Sequence, residues 1–290
     1  MIDSVTLINP VNGSLFLDPA TYPLHNISID VGSRRDETSR VQEHGQYKSR
    51  DYLDSMLINI DGDILGSNYN DLIQKRIALK SMLVPYPELG YEYTTRIEMQ
   101  PAGLPEVVWA ECNIDGLPEI PIEAAVPSSS SFSLGFVCPT PTLFGKTLNS
   151  QHTGSPGQSG GLSLPITLPF SLGTIAAGGR ISLTMSGKVS TWPIVTFYGP
   201  CQDPRIILRR DNIDYVFGLE DIVLNFGDYV VCDFLNSTIV NQTGGNFRSK
   251  LSAESVRWKL YPLTNDVRFV ADNTTSDADA VVSWYNAYQL

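Results

Sequence analysis

The sequence is poor in the residues that most catalytic and metal chemistry depends on. It has three histidines in 290 residues, His25, His44 and His152, and four cysteines. No histidine has a second one at i+2 to i+4, so a zinc-binding helix motif is excluded. Cys112, Cys138, Cys201 and Cys232 lie far apart with no C-x-x-C pair, which argues against a zinc site or a thioredoxin-type dithiol. Four cysteines allow two disulfides in three pairings. Without a secretion signal all four are expected to be reduced thiols, with Cys201 and Cys232 as small hydrophobes in strand-like runs.

Positive charge is also scarce. Twenty Lys and Arg stand against 31 Asp and Glu, a net charge of −11, and the pI is near 4.7. Such a surface has no overall pull on a phosphate backbone, so a general nucleic-acid coat is excluded. No apolar run approaches the roughly 20 residues of a membrane-spanning helix. The opening MIDSVTLINPVNGSL lacks the basic start and apolar core of a signal peptide, so synthesis in a cytoplasm is expected. There is no Walker loop, and no G-x-G-x-x-G follows a strand-like run.

What is present is a chain able to bury a core, 42% hydrophobic and 18% charged, and long enough for two domains of about 100–200 residues each. Residues 1–150 hold 19 acids and 10 bases, whereas 151–290 hold 12 and 10. Most of the negative charge is therefore in the first half.

Most of the chain reads as short strands. In the first half these are Ser4–Ile8, Ser14–Leu17, His25–Val31, Arg50–Asp61, Tyr91–Met99 and Glu106–Ile114. Asn12-Gly13 and Asp61-Gly62 read as turn dipeptides. Asn68 to Val84 breaks the pattern, with no Gly or Pro and many helix formers. Asn68 can cap it, Asp71 suits its first turn and Pro85 stops it. Its apolar stripe of Tyr69, Leu72, Ile73, Ile77, Leu83 and Val84 is interrupted by Arg76 and Lys80. Gly145 to Gly161 has almost nothing to bury and reads as a loop or linker. Further strands follow at Arg180–Val189, Pro193–Tyr198, Arg205–Leu208, Tyr215–Leu219, Ile222–Asn225, Tyr229–Asp233, Thr238–Val240, Ser255–Leu260, Asp266–Ala271 and Ala280–Tyr285, the spacing of a β-sandwich. The expected fold class is all-β with one α-helix. Its parts are a first β-domain over 1–145 with its helix at about 68–84, a Gly/Ser-rich segment over 146–161 and a second β-domain over 162–290.

No enzymatic motif stands up. Gly157-Gln158-Ser159-Gly160-Gly161 fits G-x-S-x-G, but a nucleophile elbow needs a strand before it and a helix after it, and neither flank qualifies. Glu106, Glu111 and Glu119 are candidate glycosidase acids with nothing to pair two of them. Asn59-Ile-Asp-Gly-Asp63 hints at calcium but lacks the closing Glu of an EF-hand. His44, in a polar run, reads as a surface residue. Among the aromatics of the second half, Trp192, Trp258 and Trp284 read as core or inter-domain packing residues rather than a sugar platform. No catalytic residue, cofactor or metal ligand is expected.

The order of segments in the second half is more specific. Leu164-Pro-Ile-Thr-Leu-Pro-Phe170 is followed by Thr191-Trp-Pro-Ile-Val-Thr-Phe-Tyr-Gly-Pro200, Asp203-Pro-Arg-Ile206, Gly227-Asp-Tyr-Val-Val-Cys-Asp233, Ser255-Val-Arg-Trp-Lys-Leu-Tyr-Pro262, Asn265-Asp-Val-Arg-Phe269 and the run Val281 to Tyr288. This succession resembles the C-terminal domain of the distal tail proteins (minor tail proteins) of long non-contractile-tailed bacteriophages. In the first half, Asp61-Gly-Asp-Ile-Leu-Gly66, the helix after it, and Phe136-Val-Cys-Pro-Thr-Pro141 with Phe144-Gly145 resemble that family's ring-forming belt domain. Thr140-Pro141 stands where the family often has Asp-Pro.

The resemblance implies a virion protein of the tail tip, assembled in the host bacterial cytoplasm. It implies a homo-hexameric ring of belt domains between the tail tube protein and the hub or tail-fibre protein, with a lumen that passes DNA. A galectin-like sandwich would project outward and could hold receptor-binding or side-fibre proteins. The residues expected at the ring interface are Arg76 and Lys80 on the helix and the strand from Tyr52 to Asp61. If the acidic first half lines the channel, it would repel DNA and let it slide. The competing class is a carbohydrate-binding module for the host surface. A galectin-type histidine–asparagine–arginine group is not apparent, since no histidine follows Tyr198.

Overall fold

The computed structural model describes residues 2–35, 51–91, 93–116, 120, 128–154, 179–272 and 277–289. Among the described residues the structure is mostly antiparallel β with one α-helix, and the chain forms two compact units. Residues 1–146 and 288–290 make the first, and residues 147–287 make the second.

The first unit contains β1 (Ile2–Asn9), β2 (Gly13–Phe16), β3 (Leu24–Arg35), β4 (Asp51–Leu65), α1 (Tyr69–Ser81), β5 (Thr95–Pro101), β6 (Val108–Ile114), β7 (Ser129–Cys138) and the start of β8 (Leu143–His152). One run of neighbours is β8-β6-β5-β1-β2. The other is β3-β4-β7, with β7 also pairing the end of β6. The alternation anticipated in the sequence is visible where one face is buried. β5 buries Thr95, Ile97, Met99 and Pro101, and β4 buries Met56, Ile58, Ile60, Gly62 and Ile64. Ile97 and Met99 of β5 and Met56, Ile58, Ile60 and Ile64 of β4 join Val5, Leu7, Leu134 and Phe136 in one core.

Helix α1 is capped as its sequence predicts. Asn68 Oδ1 accepts the Asp71 amide at 3.0 Å, and Asp71 Oδ2 accepts the Ser67 amide at 2.7 Å and Lys75 Nζ at 2.9 Å. The buried face differs from the expected stripe. Leu72 and Leu79 are fully buried, two turns apart, while Tyr69 and Ile77 are about half exposed. Asn9, itself buried, locks the helix exit to the sheet. Its amide donates to the carbonyls of Met82, Val84 and Thr94, and its oxygen accepts the amides of Val11 and Asn12. Every hydrogen-bonding atom of this buried side chain is thereby satisfied.

Three expectations for this half are corrected. Asp61-Gly62 is no turn, because β4 runs straight through it. Gly62 is required by close approach instead, since a Cβ there would lie 2.7 Å from the Pro23 carbonyl oxygen and 2.8 Å from Phe132 Cζ. The supposed loop from Gly145 is strand as far as His152, while 155–161, with Ser159, lie outside the described residues. Cys112 and Cys138 are not free thiols. They sit side by side across β6 and β7, Cα atoms 4.1 Å apart, and form a disulfide. Antiparallel register sets them opposite, as the neighbouring pairs Asn113–Val137 and Ile114–Phe136 show.

The second unit contains β9 (Arg180–Met185), β10 (Ile194–Tyr198), β11 (Cys201–Arg210), β12 (Ile213–Gly218), β13 (Val223–Leu224), β14 (Tyr229–Asp233), β15 (Thr238–Asn241), β16 (Leu263–Asp272) and β17 (Asp279–Tyr288), of which Tyr288 belongs to the first unit. One sheet runs β15-β14-β10-β17, the other β12-β11-β16-β9 with β13 on β11. Both contribute to one core that includes Phe197, Phe217, Phe234, Trp258, Phe269 and Trp284, while Trp192 packs half-buried against it. The free thiols of Cys201 and Cys232 lie in this core as expected. Burial pushes Cys201 up to about 11 and Cys232 well above the thiol range.

Ser255–Leu260 is not a strand. The segment is extended, but it touches its neighbours only by separate bonds, from the Val256 amide to the Val216 carbonyl and between Leu260 and Thr191. Trp258 and Leu260 point inward and Arg257 outward, so alternation survives without a ladder.

Candidate assembly interface

The most conspicuous surface of the first unit is the far end of the β3–β4 hairpin. The strands pair from Leu24–Gly62 to Arg35–Asp51, with register shifts after Leu24 and after Val31. Burial follows the core only as far as Met56, after which Asp51 to Asp54 and Gly32 to Arg34 are exposed on both strands. The second register shift falls at this point. Val31 pairs with Met56 and Ser33 with Leu53, so β4 carries one extra residue opposite Gly32, a β-bulge. A bulge bends and twists a ribbon, and this one marks where the arm leaves the core. Beyond it the ribbon presents Tyr52 and Leu53, each about half exposed, with Leu57 just before it. A bare two-stranded ribbon with apolar side chains is marginal in water and is stabilised by pairing with something else.

The four residues expected at an interface are not gathered into one place. Tyr52 lies on the arm, exposed and opposite Arg34. Asp61 lies nine residues further along β4, roughly 30 Å away for an extended strand. It pairs with Asn26 and Ser133 and accepts the Ser133 hydroxyl at 2.6 Å. Arg76 faces inward from α1 and donates to the Ile120 carbonyl, so its cation serves the unit's own fold. Lys80, in the last turn of the helix, is exposed. Leu53 and Leu57 fall within the strand Tyr52–Asp61 expected at the interface, whereas Arg34 and the arm as a two-stranded whole escaped the sequence reading. The signal that could have found them was the unbroken β-propensity of His25–Val31 and Tyr52–Asp61 taken as two sides of one hairpin.

The remaining candidate chemistry dissolves into local structure. Glu106 accepts the Tyr288 hydroxyl at 2.8 Å, and with burial this pushes the phenol up to about 12. Glu111 pairs with Arg96 at 2.8 Å, and Arg96 in turn stacks on Trp109. Glu119 and His44 lie outside the described residues. His25 pairs with Asp63 at 2.9 Å and His152 with Asp279 at 2.5 Å, all four at least partly exposed. Asp63 thus sits in strand β4 with a side-chain partner on β3 rather than in a calcium loop. Among the described residues no group of three or more His, Cys, Asp or Glu side chains is placed to hold a metal ion. No helix among them is long and apolar enough to cross a membrane.

No family model and no curated protein matches the sequence. Solved structures do match in fold. The SPP1 Dit (gp 19.1) protein, described as a paradigm of the hub adsorption apparatus of phages infecting Gram-positive bacteria, superposes with a TM-score of 0.64 at 10% identity, covering 97% of this chain and 98% of that one. A chain of the phage P2 baseplate in its activated conformation with calcium gives 0.55 at 11% identity, covering 98% of both. The strontium form gives 0.53 at 11%, covering 97% of both.

Proposed function

We propose that this chain is a non-enzymatic structural protein of a bacteriophage tail tip, a distal tail protein that works through its interfaces. The observation that carries the reading is the fold likeness to the SPP1 Dit protein over 97% of this chain and 98% of that one. A shared fold leaves function open in general. Here it coincides with the family resemblance of segment order in the sequence and with an exposed two-stranded arm that carries apolar side chains.

In this reading six copies close into a ring through their first units. The β3–β4 arm reaches across to a neighbouring copy and covers Tyr52, Leu53 and Leu57 there. The tail tube protein docks on one face of the ring and the hub or tail-fibre protein on the other. The second unit, galectin-like in this reading, is left for receptor-binding or side-fibre proteins, and the acidic first unit lines the passage for DNA. On α1 the exposed Lys80, and Arg76, whose guanidinium also donates to the Ile120 carbonyl within the chain, are the helix residues offered to this contact.

Native mass spectrometry of the purified protein, with electron-microscope images of the same fraction, tests this. The expected particle is a ring of about six times the chain mass of 31.9 kDa. Leu53→Lys with Tyr52→Lys places two charges in the proposed contact and is expected to leave folded monomers. Rings that persist in this variant remove the arm from the interface. If the wild-type protein is a monomer alone and stays one when mixed with tube and hub proteins, the tail-tip reading fails.

A further inference from the structure

Six cations among the described residues of this acidic chain are matched to carboxylates. Lys75 pairs with Asp71, Arg96 with Glu111, Lys146 with Glu98, Arg180 with Asp266, Arg205 with Asp272 and Arg209 with Asp214. Arg210, Arg257 and Lys259 have no carboxylate partner among the described residues, and they sit together on the second unit. Arg257 and Lys259 alternate with the buried Trp258 and Leu260 along the extended segment before β16. Arg210, at the end of β11, donates to the Lys259 carbonyl at 2.9 Å.

Each of the three is held in place by something other than an anion. The Arg210 guanidinium lies 3.8 Å from the centre of the Tyr261 ring. Tyr261 is itself pinned, since Asn265 accepts its amide at 3.0 Å and donates to its carbonyl at 2.8 Å. Lys259 Nζ lies 4.8 Å from the Trp192 ring centre, and the Arg257 guanidinium 5.8 Å from the same ring. Arg257 also donates to the Phe234 carbonyl at 3.1 Å and to the Ser237 hydroxyl. A cation over an aromatic face keeps its full charge and remains open to an anion. Side chains two residues apart on an extended segment repeat at about 6.6 Å, which is close to the separation of neighbouring phosphates in an extended phosphodiester chain.

The geometry points to a binding strip for an anionic polymer of alcohol-linked phosphodiesters, a polyol phosphate, formed by Arg257, Lys259 and Arg210. A nucleic acid shares the phosphodiester but wants free ring faces for its bases. Here Lys259 and Arg257 stand over Trp192, and Arg210 over Tyr261, so the bases find no platform. The inference concerns the second unit alone and does not depend on ring formation.

The test uses the full-length protein and a fluorescein-labelled glycerol phosphate oligomer of about ten units, read by anisotropy over a salt series. Three phosphate contacts predict a slope of log K against log salt near −2, at about −0.7 per contact. Lys259→Gln should flatten it by about 0.7, and the triple variant Arg210→Gln, Arg257→Gln, Lys259→Gln should bring it close to zero. Arg180→Gln, Arg205→Gln, Arg209→Gln changes net charge equally from paired positions and should keep wild-type affinity within about twofold. If the strip triple variant fails to fold, Lys259→Gln decides, because this side chain makes no hydrogen bond among the described residues. Equal weakening by both triple variants, or no effect of Lys259→Gln, overturns the strip. Tighter binding of a thymidine oligomer or of poly-L-glutamate than of the glycerol phosphate chain overturns the choice of ligand.

Discussion

Reduction of the Cys112–Cys138 disulfide should destabilise the first unit by a predictable amount. The bond spans 26 residues of sequence. Loop-closure entropy for a loop of that size stabilises the folded state by about 3.5 kcal/mol at 25 °C. Both cysteines are fully buried, so a reductant reaches the bond only when the unit opens, and the comparison is best made by equilibrating in urea with and without reductant. With a urea dependence of about 2 kcal/mol per molar for a unit of this size, the unfolding midpoint should fall by about 1.5–2 M. The second unit, whose cysteines are free, serves as the internal control because its transition should not move. The link itself is checked by alkylation in denaturant without reductant. Two labels per chain, on Cys201 and Cys232, are expected before reduction and four after. Four labels before reduction refute the bond. Two labels with a midpoint shift below about 0.5 M would show that the β6–β7 pairing already restricts the unfolded chain and that the entropy argument fails.

Gly62→Ala should destabilise the first unit by about 1–3 kcal/mol through overpacking, because its Cβ would press on the Pro23 carbonyl and the Phe132 ring; chemical denaturation measures this. Lys75, the Ser67 amide and the Ser67 hydroxyl hold the Asp71 carboxyl down to about 2, below its usual value of 3.8. Because the folded value is the lower one, the contribution is present above about pH 4 and is lost as pH falls towards 2. Protection factors of the first-turn amides of α1, corrected for the intrinsic slowing of exchange at low pH, should therefore fall over that window, and Asp71→Asn should remove the dependence. Tyr288 is shifted the other way, up to about 12 by burial and then by Glu106. Its contribution is full below about pH 10 and disappears as pH rises towards 12, so alkaline unfolding of the first unit should move to higher pH in Tyr288→Phe.

What could be read without the structure was whatever a few neighbouring residues encode. The helix after Asn68 and its cap depend on hydrogen bonds within one turn. Most strands announce themselves by alternation over five to ten residues, and β14 coincides with Tyr229–Asp233 as read. The strand β7 was overlooked because Ser129-Ser-Ser-Phe-Ser carries little hydrophobic signal; its partner Met56–Leu65 on β4 recruits it into the sheet. Ser255–Leu260 failed for the opposite reason, since it alternates well but no neighbouring strand lies alongside to pair with it.

Long-range packing decided the rest. Register across β6 and β7 brings Cys112 to Cys138, and the chain's return brings Tyr288 to Glu106, 182 residues away. The apolar stripe of α1 allowed more than one face to be buried, and the sheet selected Leu72 and Leu79 over Tyr69 and Ile77. The same limit applies to the functional surfaces. Tyr52 was identifiable as a residue, but the exposed arm required both strands of the hairpin and the bulge between them. Arg210 comes beside Lys259, 49 residues away, only once β11 and the segment before β16 are folded together. Periodicity is a property of one segment and is written in it, whereas a neighbour across the fold depends on the packing of all segments at once.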